Sequence, residues 1–465
     1  MNLAVDKIVE VCKGVLIQGR GYVSGVAIDS RQVRTGDLFV PLKGEKVDGH
    51  DFAAMAVANG ASALLWARPE LPQITEAAVI QVASAERALQ DLAAWYLRQT
   101  RAKVVAVTGS VGKTSTKDLI AAVLRSKYSV VATRGNYNTE IGLPLMLFEL
   151  TPETDYAVLE MGMRGPGQIA RLAQIAPPYI GVLTNVGESH IELLGSREAI
   201  AQAKGELLEA IDPHGSGVVN GDDPLAVVQA ARCPGRVVFY GLNDADSDRY
   251  LVTATDLTQQ ADGRVSFVLR VGEEEAPINL GVPGRHNVYN SLAAAAVGHL
   301  LGLTLPEIAT GLRQAELTGM RCEILSVPEG YQVINDAYNA CFDSMRAGLE
   351  LLASLRKEGG RTIAILGDMF ELGASSKATH ERVGMVVAEL GIDLLLAVGA
   401  RSEDLAAGAL AGGMTAEQIV KLPSTEDAVA VVRSIPRPND VILVKGSRGM
   451  KMEQVVQVLT GEKKQ

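Results

Sequence analysis

Hydrophobic residues along the chain fall into short apolar runs that alternate with longer segments of helical spacing. In the middle of the chain, the apolar runs occupy residues 103–108, 156–159, 180–184 and 217–220, with helical stretches between them. Because parallel strands need crossover connections that are usually helices, this order predicts a mostly parallel sheet. Residues 252–282 instead alternate at every second position around an Asp-Gly turn, which predicts a small antiparallel excursion at the edge of that sheet.

The two ends of the chain add further elements. After about residue 321, strand-like runs again alternate with helical stretches, which predicts a second doubly wound sheet of the nucleotide-fold type. The first hundred residues mix short strand-like runs with helical stretches and end in a polar segment. A chain of 465 residues fits about three domains. We expect these domains at residues 1–100, 101–319 and 320–465.

Composition and charge exclude several classes of partner. The hydrophobic fraction of 47% is ordinary for a globular protein, and the formal net charge is −10. No run of lysine and arginine exceeds two residues, so we expect no binding to nucleic acid. Acidic residues interrupt the apolar N-terminus, and no stretch has the apolar length needed to span a bilayer. We therefore expect a cytoplasmic protein without membrane insertion.

The strongest chemical signal is a glycine-containing loop between a strand and a helix. Glycines let the backbone wrap a phosphate, and the helix N-terminus offers free N–H groups and a positive dipole end. Lys113 would reach the β- and γ-phosphates of ATP, and the Thr114 hydroxyl would bind Mg²⁺. The spacing is shorter than in the common phosphate loop, since Val107 takes the place of the first glycine. The predicted ATP loop consists of Gly109, Ser110, Val111, Gly112, Lys113, Thr114 and Ser115.

Other polar residues lie where the predicted strands end or the helices begin. Glu160 follows one strand of the parallel sheet, and a carboxylate there can hold Mg²⁺. His190 follows the next strand and can equally be a structural histidine, because histidine is an unusual ligand for Mg²⁺. Lys204 lies in an alanine-rich helical stretch and, taken alone, is expected to be an exposed lysine. Helix capping explains Asn287 but gives no reason for Asn290.

These segments, in this order, resemble the Mur ligases of peptidoglycan synthesis over nearly the whole chain. The loop at 108–115 is similar to the family's ATP loop, and residues 135–144 are similar to its Asn-rich substrate segment. The segments around Glu160, His190 and Lys204 resemble its magnesium and carbamate region. The resemblance implies an α/β, three-domain Mur ligase architecture. Its central domain would be a P-loop parallel-sheet domain that binds ATP, between a UDP-substrate domain and a C-terminal Rossmann-like domain that binds the incoming dipeptide.

The resemblance also implies roles for single residues. Lys204 is similar to the lysine that family members carbamylate, and Arg321 is similar to an arginine near the γ-phosphate. His380 resembles a histidine near the ATP and amine site. The implied catalytic residues are Lys113, Lys204, His190 and Arg321. The implied magnesium ligands are Thr114, Glu160, His190 and carbamylated Lys204. Nucleotide contacts beyond the loop would be Asn287, Asn290, Arg321 and Asp336. Substrate contacts would be Ser30, Arg31, Asn136, Asn138, Thr139, Tyr338 and Asn339.

Within the family, three segments favour the member that joins D-alanyl-D-alanine to UDP-N-acetylmuramoyl-tripeptide. Residues 29–50 resemble a UDP-binding N-terminal domain that this member shares with the enzyme of the preceding step, and residues 335–340 and 366–373 resemble segments characteristic of this member. Cys341-Phe342 departs from the family, which usually has Asn or Ser and then Pro at these positions. The expected activity is ATP- and Mg²⁺-dependent amide ligation through an acyl phosphate, by an ADP-forming ligase that we expect to be a monomer. The alternatives are the member that adds the third amino acid, a folylpolyglutamate synthase, and a P-loop switch without ligase chemistry.

Overall fold

The computed structural model of the protein describes residues 1–44, 46–242 and 249–461. Its strands form three large sheets, which follow one another along the chain, and one short two-stranded ribbon. Helices cover the sheets, so the predicted α/β class is confirmed. Among the described residues, no helix combines the length and the apolar character that crossing a membrane requires.

The N-terminal region is a five-stranded sheet of order β2-β7-β6-β5-β4, in which only β2 is antiparallel to its neighbour. The ribbon β1-β3 lies beside it. Leu89 and Leu92 on α3 are fully buried in the core of this region, so α3 is anchored to the first sheet. The strands are β1 Leu3–Ala4, β2 Val15–Gln18, β3 Tyr22–Val23, β4 Gly25–Ala27, β5 Asp37–Phe39, β6 Ala63–Trp66 and β7 Ala78–Gln81. The helices are α1 Val5–Cys12, α2 Ala53–Ala58 and α3 Ala85–Arg98.

The central region is a nine-stranded sheet of order β16-β15-β14-β13-β12-β11-β8-β10-β9. Pairing is parallel from β9 to β14 across the sheet, and antiparallel through β15 and β16, as the sequence predicts. The strands are β8 Lys103–Thr108, β9 Val130–Ala132, β10 Tyr156–Glu160, β11 Pro178–Leu183, β12 Ser216–Asn220, β13 Arg236–Tyr240, β14 Tyr250–Gln259, β15 Arg264–Val271 and β16 Glu274–Pro283. The helices are α4 Lys113–Arg125, α5 Gly142–Leu147, α6 Gln168–Ile175, α7 Ile191–Leu194, α8 Arg197–Glu209, α9 Pro224–Ala230, α10 His286–Leu300 and α11 Leu305–Arg313.

The order of the central strands determines where a ligand can bind. Strand β8 pairs with β11 on one side and with β10 on the other, so the chain changes direction across the sheet at β8. Ligands of open α/β sheets bind at such a switch point, beyond the carboxyl ends of the strands. All residues of β8 except Lys103 are buried. Helices cover both faces, which is why the strand reads as one continuous apolar run.

The C-terminal region is a six-stranded sheet of order β17-β18-β22-β19-β20-β21, in which only β17 is antiparallel to its neighbour. It confirms the second parallel sheet predicted after residue 321. The strands are β17 Glu323–Ser326, β18 Gln332–Asp336, β19 Thr362–Gly367, β20 Leu394–Val398, β21 Ile419–Leu422 and β22 Val441–Lys445. The helices are α12 Phe342–Ser354, α13 Ser376–Glu389, α14 Ser402–Ala411, α15 Thr425–Val431 and α16 Glu453–Thr460.

Candidate active site

A cavity of about 1100 Å³ lies between the carboxyl ends of the central strands and those of the C-terminal sheet. Most of the residues predicted from the sequence meet in it, although they are distributed over more than two hundred positions of the chain. The predicted residues that line the cavity are Ser110, Val111, Gly112, Lys113, Thr114, Ser115, Asn136, Asn138, Thr139, Glu160, His190, Lys204, Asn290, Arg321, Asp336, Tyr338 and Asn339.

Besides His380, four predicted residues do not line this cavity. Gly109 packs against Thr184 at the start of the phosphate loop, and Asn287 is fully buried. Ser30 and Arg31 follow β4 in the N-terminal region. Ser30 is buried, whereas the Arg31 side chain is exposed and pairs with a neighbouring aspartate. Their substrate-binding roles stay predictions, because the structure does not bring them to the cavity.

The phosphate loop connects β8 to α4 and is held by the strand end beside it. The Val111 N–H donates to Asn185 Oδ1 at 2.9 Å, and the Thr184 hydroxyl donates to the Val111 carbonyl at 2.8 Å. Gly112 precedes α4 with a φ of 80°, a conformation that favours glycine. The first N–H groups of α4 therefore open toward the cavity without helical partners, which is the arrangement that binds phosphate.

Lys204 is 2% exposed and is among the largest fully buried side chains, so the expectation of an exposed helix lysine is wrong. Its Nζ donates to the Gly109 carbonyl at 2.9 Å, and Lys113 Nζ donates to the same carbonyl at 2.8 Å. Neither lysine forms an ion pair with any carboxylate in the described ranges. Burial lowers the pKa of Lys204 well below its ordinary value, and the neighbouring Lys113 lowers it further.

Glu160 ends β10 and is 4% exposed. Its Oε2 accepts a hydrogen bond from the Thr114 hydroxyl at 2.5 Å, and its Oε1 accepts one from Asn138 Nδ2 at 2.8 Å. A hydroxyl and a carboxylate beside a phosphate loop are the oxygen donors that Mg²⁺ uses when nucleotide supplies the remaining ligands. Within the described residues, no group of three or more His, Cys, Asp or Glu side chains could hold a metal by itself.

His190 lines the cavity and joins the central and C-terminal regions. Its Nδ1 lies 2.5 Å from Glu371 Oε2, and its other ring nitrogen has no hydrogen-bond partner among the residues described. The φ of His190 is 67°, a left-handed conformation that is uncommon for residues other than glycine. Burial lowers the pKa of His190, while Glu371 acts to raise it. The contact with Glu371 could not be read from the sequence.

Asn287 does not cap α10, which corrects the capping interpretation. The helix begins at His286, with Arg285 in the cap position and no side-chain cap bond. Asn287 Nδ2 donates to the Pro283 carbonyl at 2.7 Å, and its Oδ1 accepts from Asn290 Nδ2 at 2.7 Å. Asn290 Oδ1 in turn accepts from the Thr116 hydroxyl on α4 at 3.0 Å. The two amides therefore couple α10 to the helix that follows the phosphate loop.

The C-terminal sheet brings cations to the opposite wall. Arg321 lies over the Tyr338 ring at 4.3 Å, and its Nε is buried without a hydrogen-bond partner in the described part of the chain. An arginine with unused donors in a cavity suits an incoming phosphate. Lys445 Nζ lies 2.5 Å from Asp336 Oδ2, and Arg448 also lines the cavity.

Sequence reasoning did not identify Lys445 and Arg448. Lys445 is the last residue of β22, and Arg448 follows three residues later. Polar residues at the carboxyl end of a predicted parallel strand are the same signal that identified Glu160. The sequence carries this signal at the end of β22 as well, and it points to Lys445. His380, by contrast, is fully buried and does not line the cavity.

The chain is similar to known proteins over nearly its whole length. Three family models match it: the Mur ligase middle domain at residues 107–298, the Mur ligase glutamate ligase domain at residues 320–448, and the Mur ligase family catalytic domain at residues 22–97. A UDP-N-acetylmuramoyl-tripeptide–D-alanyl-D-alanine ligase from Bacillus subtilis is 38% identical over 461 residues, which is 98% of each sequence.

Solved structures give the same result. The crystal structure of MurF from Acinetobacter baumannii matches with a TM-score of 0.89 at 30% identity, and the match covers 99% of each chain. MurF ligase from Thermotoga maritima, in complex with ADP, matches with a TM-score of 0.81 at 29% identity, over 95% of this chain and 98% of that one. The three-domain architecture expected from the sequence is confirmed, and the chain belongs to the Mur ligase family, among its UDP-N-acetylmuramoyl-tripeptide–D-alanyl-D-alanine ligases.

Proposed function

We propose that this protein joins D-alanyl-D-alanine to UDP-N-acetylmuramoyl-tripeptide in an ATP-dependent, ADP-forming reaction. The observation that carries the proposal is the common cavity. On one wall lie the phosphate loop and the Asn-rich segment at residues 136–139, and on the other lies the end of a separate parallel sheet. A switch protein needs no second sheet facing its nucleotide, whereas a ligase must bring a second substrate there. The full-length relatives named for this reaction support the same choice.

The chemistry explains why the cavity is rich in cations. A carboxylate is a poor electrophile, so ATP first phosphorylates the carboxyl group of the tripeptide, and the amine then displaces phosphate from the acyl phosphate. Charge spreads over the transferred phosphoryl group, and fixed positive groups stabilise it. Lys113 and Arg321 supply these charges from opposite walls of the cavity, and the free N–H groups of α4 add to them. ATP use agrees with the ADP bound by the Thermotoga relative.

The residues of the cavity also fit a magnesium ion. Thr114 and Glu160 offer a hydroxyl and a carboxylate, and bound Mg²⁺ would neutralise phosphate charge. Lys204, as a carbamate, would add an anionic oxygen ligand, and His190 keeps one ring nitrogen without a protein partner. Carbamylation can be tested with Lys204→Ala, because short-chain carboxylic acids should restore part of its lost activity. Full activity of this variant without added acid would contradict the carbamylation of Lys204.

The remaining assignments extend the same proposal. Residues 1–100 would hold the UDP end of the substrate through Ser30 and Arg31, residues 101–319 would hold ATP, and residues 320–465 would hold the dipeptide. Asn287, Asn290 and Asp336 would contact the nucleotide, while Tyr338 and Asn339 would contact the substrates. We place the reaction in the cytoplasm, where ATP is available, and expect the protein to act as a monomer.

Phosphate release with different amines tests the function. We expect release to require ATP, UDP-N-acetylmuramoyl-tripeptide and D-alanyl-D-alanine together. Stimulation by lysine or diaminopimelate, with the corresponding UDP-dipeptide as acceptor, would instead identify the member that adds the third amino acid. Dependence on a folate and glutamate would identify a folylpolyglutamate synthase. Steady ATP hydrolysis without any amine dependence would favour the P-loop switch.

A further inference from the structure

Asp343 is a carboxylate of the cavity wall that no part of the preceding mechanism uses. It lies in the first turn of α12 and lines the cavity from the C-terminal side. Its carboxylate forms no hydrogen bond and no ion pair with any residue in the described ranges. Asp343 is exposed to the cavity, so its carboxylate needs no protein partner and stays open to a ligand. Asp343 therefore has its full binding capacity available for a ligand.

The Asp343 carboxylate lies close to the segment that packs on the phosphate loop. A β-carbon placed on Gly187 would lie 2.5 Å from Asp343 Oδ2 and 3.4 Å from Ser110 Cβ. Asp343 thus reaches across from the C-terminal region to the strand-end segment that packs on the phosphate loop. The Gly187 N–H donates to the Ser110 hydroxyl at 2.8 Å, which fixes this segment to the loop. A side chain at position 187 would displace the Asp343 carboxylate from this position.

The charged groups around Asp343 are already engaged elsewhere. Arg382 on α13 lies 3.5 Å from Glu188 and stacks over the Phe342 ring. Arg197 on α8 donates to a backbone carbonyl, and Asp223 accepts backbone N–H groups before α9. These neighbours act on Asp343 through their fields and do not bind it.

The same surroundings change the pKa of the Asp343 carboxylate in the direction that suits a general base. The cavity walls shield the exposed Asp343 carboxylate only in part and raise its pKa, Glu188 and Asp223 raise that pKa further, and Arg197 and Arg382 act in the opposite direction. A raised pKa brings a carboxylate closer to the operating pH, where a general base is most effective. An amine entering the cavity as an ammonium ion needs such a base, because its nitrogen has no free electron pair until a proton leaves.

We propose that Asp343 binds the ammonium group of the incoming amine and accepts one of its protons before the amine attacks the acyl phosphate. The proton passes from nitrogen to the Asp343 carboxylate, and the freed electron pair forms the C–N bond. The C–O bond to phosphate then breaks, and the second proton of the nitrogen leaves with the released phosphate. This inference rests on the proposed ligase function. Glu188 and His190 are poorer candidates, since Arg382 and Glu371 already pair with them.

The test is Asp343→Asn, which keeps the shape of the side chain and removes the base. We expect kcat with D-alanyl-D-alanine to fall by about 10²- to 10⁴-fold, the usual contribution of a general base, while KM for ATP stays unchanged. The acidic limb of the pH profile should disappear with the carboxylate. Hydroxylamine is a neutral nucleophile near pH 7, so it should trap the acyl phosphate at the wild-type rate in the variant. This reaction also reports that the variant is folded.

Two further variants make the comparison sharper. Asp343→Glu keeps a carboxylate and should recover part of the lost rate, whereas Glu403→Gln removes an exposed carboxylate of the same region and should behave like wild type. Wild-type turnover of D-alanyl-D-alanine by Asp343→Asn would overturn the inference, and so would equal losses with the dipeptide and with hydroxylamine. If the wild-type protein uses another amine, the proposed function fails. The same comparison with that amine still decides the role of Asp343.

Discussion

Gly109→Ala tests whether the backbone of the phosphate loop, and not only its lysine, builds the nucleotide site. A β-carbon at Gly109 would lie 1.9 Å from Thr184 Oγ1 and 3.3 Å from the Asn185 backbone nitrogen, and the φ of Gly109 is 156°. The Thr184 hydroxyl donates to the Val111 carbonyl, so it cannot turn away without losing that hydrogen bond. A methyl group therefore forces the loop and the neighbouring strand end apart.

The magnitude follows from two costs. Forcing an extra methyl group into a packed site costs about 1–3 kcal/mol, and losing the hydrogen bond between Thr184 and Val111 costs about 1 kcal/mol. The nucleotide-free loop can relieve the clash by shifting, whereas the nucleotide-bound loop must keep its shape. The sum, about 2–4 kcal/mol, then appears as lost affinity, and nucleotide binding should weaken by roughly 30- to 900-fold.

Calorimetric titration with ADP and the KM for ATP would measure this loss. Gly165→Ala is the matched control, because Gly165 has no left-handed φ and a β-carbon there meets nothing within 4 Å. The control should bind nucleotide like wild type, and circular dichroism should show that both variants are folded. Affinity of Gly109→Ala within about threefold of wild type would refute the argument, since it would mean that the loop absorbs the methyl group at under about 1 kcal/mol.

Two other perturbations address contacts of the cavity walls. Lys445→Met leaves the carboxylate of Asp336 without its partner in a buried setting, and we expect the C-terminal region to lose about 3–5 kcal/mol of stability. Thermal unfolding would measure this loss, and adding Asp336→Asn to the variant should restore part of it. Glu371→Gln removes the group that raises the pKa of His190, so that pKa should fall further below its ordinary value in an NMR titration. An unchanged His190 pKa would mean that the contact with Glu371 does not form in solution.

Much of the central sheet could be predicted because its strands are buried on both faces. Such strands are continuous apolar runs, and the run at residues 103–108 coincides with β8. Side chains that follow these strands converge on one edge, so Glu160 and the phosphate loop could be assigned to one site. The outer strands face solvent on one side, and the alternation in β15 revealed the antiparallel hairpin.

The parts that could not be predicted depend on packing between distant segments. On α8, Lys204 shares one helix face with the buried residues Ile200, Ala203 and Leu207, so periodicity is compatible with burial, and only the charge of the lysine argued for exposure. His190 and Glu371 lie far apart in the sequence. His190 follows a strand of the central sheet, and Glu371 follows a strand of the C-terminal sheet. No local pattern encodes how two such sheets face each other. Asn287 was misjudged for a simpler reason, because α10 begins at His286 and therefore already includes Asn287.

Lys113 and the buried Lys204 share one hydrogen-bond acceptor in the phosphate loop. Both Nζ atoms donate to the Gly109 carbonyl, and no described carboxylate forms an ion pair with either. A positive charge on Lys113 makes a positive charge on the buried Lys204 more costly, in addition to the cost of burial. ATP phosphates would remove the cost at Lys113, and carbamylation would remove it at Lys204 by replacing the ammonium with an anion. The two lysines therefore fit a site that an anionic nucleotide would complete at Lys113 and that the proposed carbamylation would complete at Lys204.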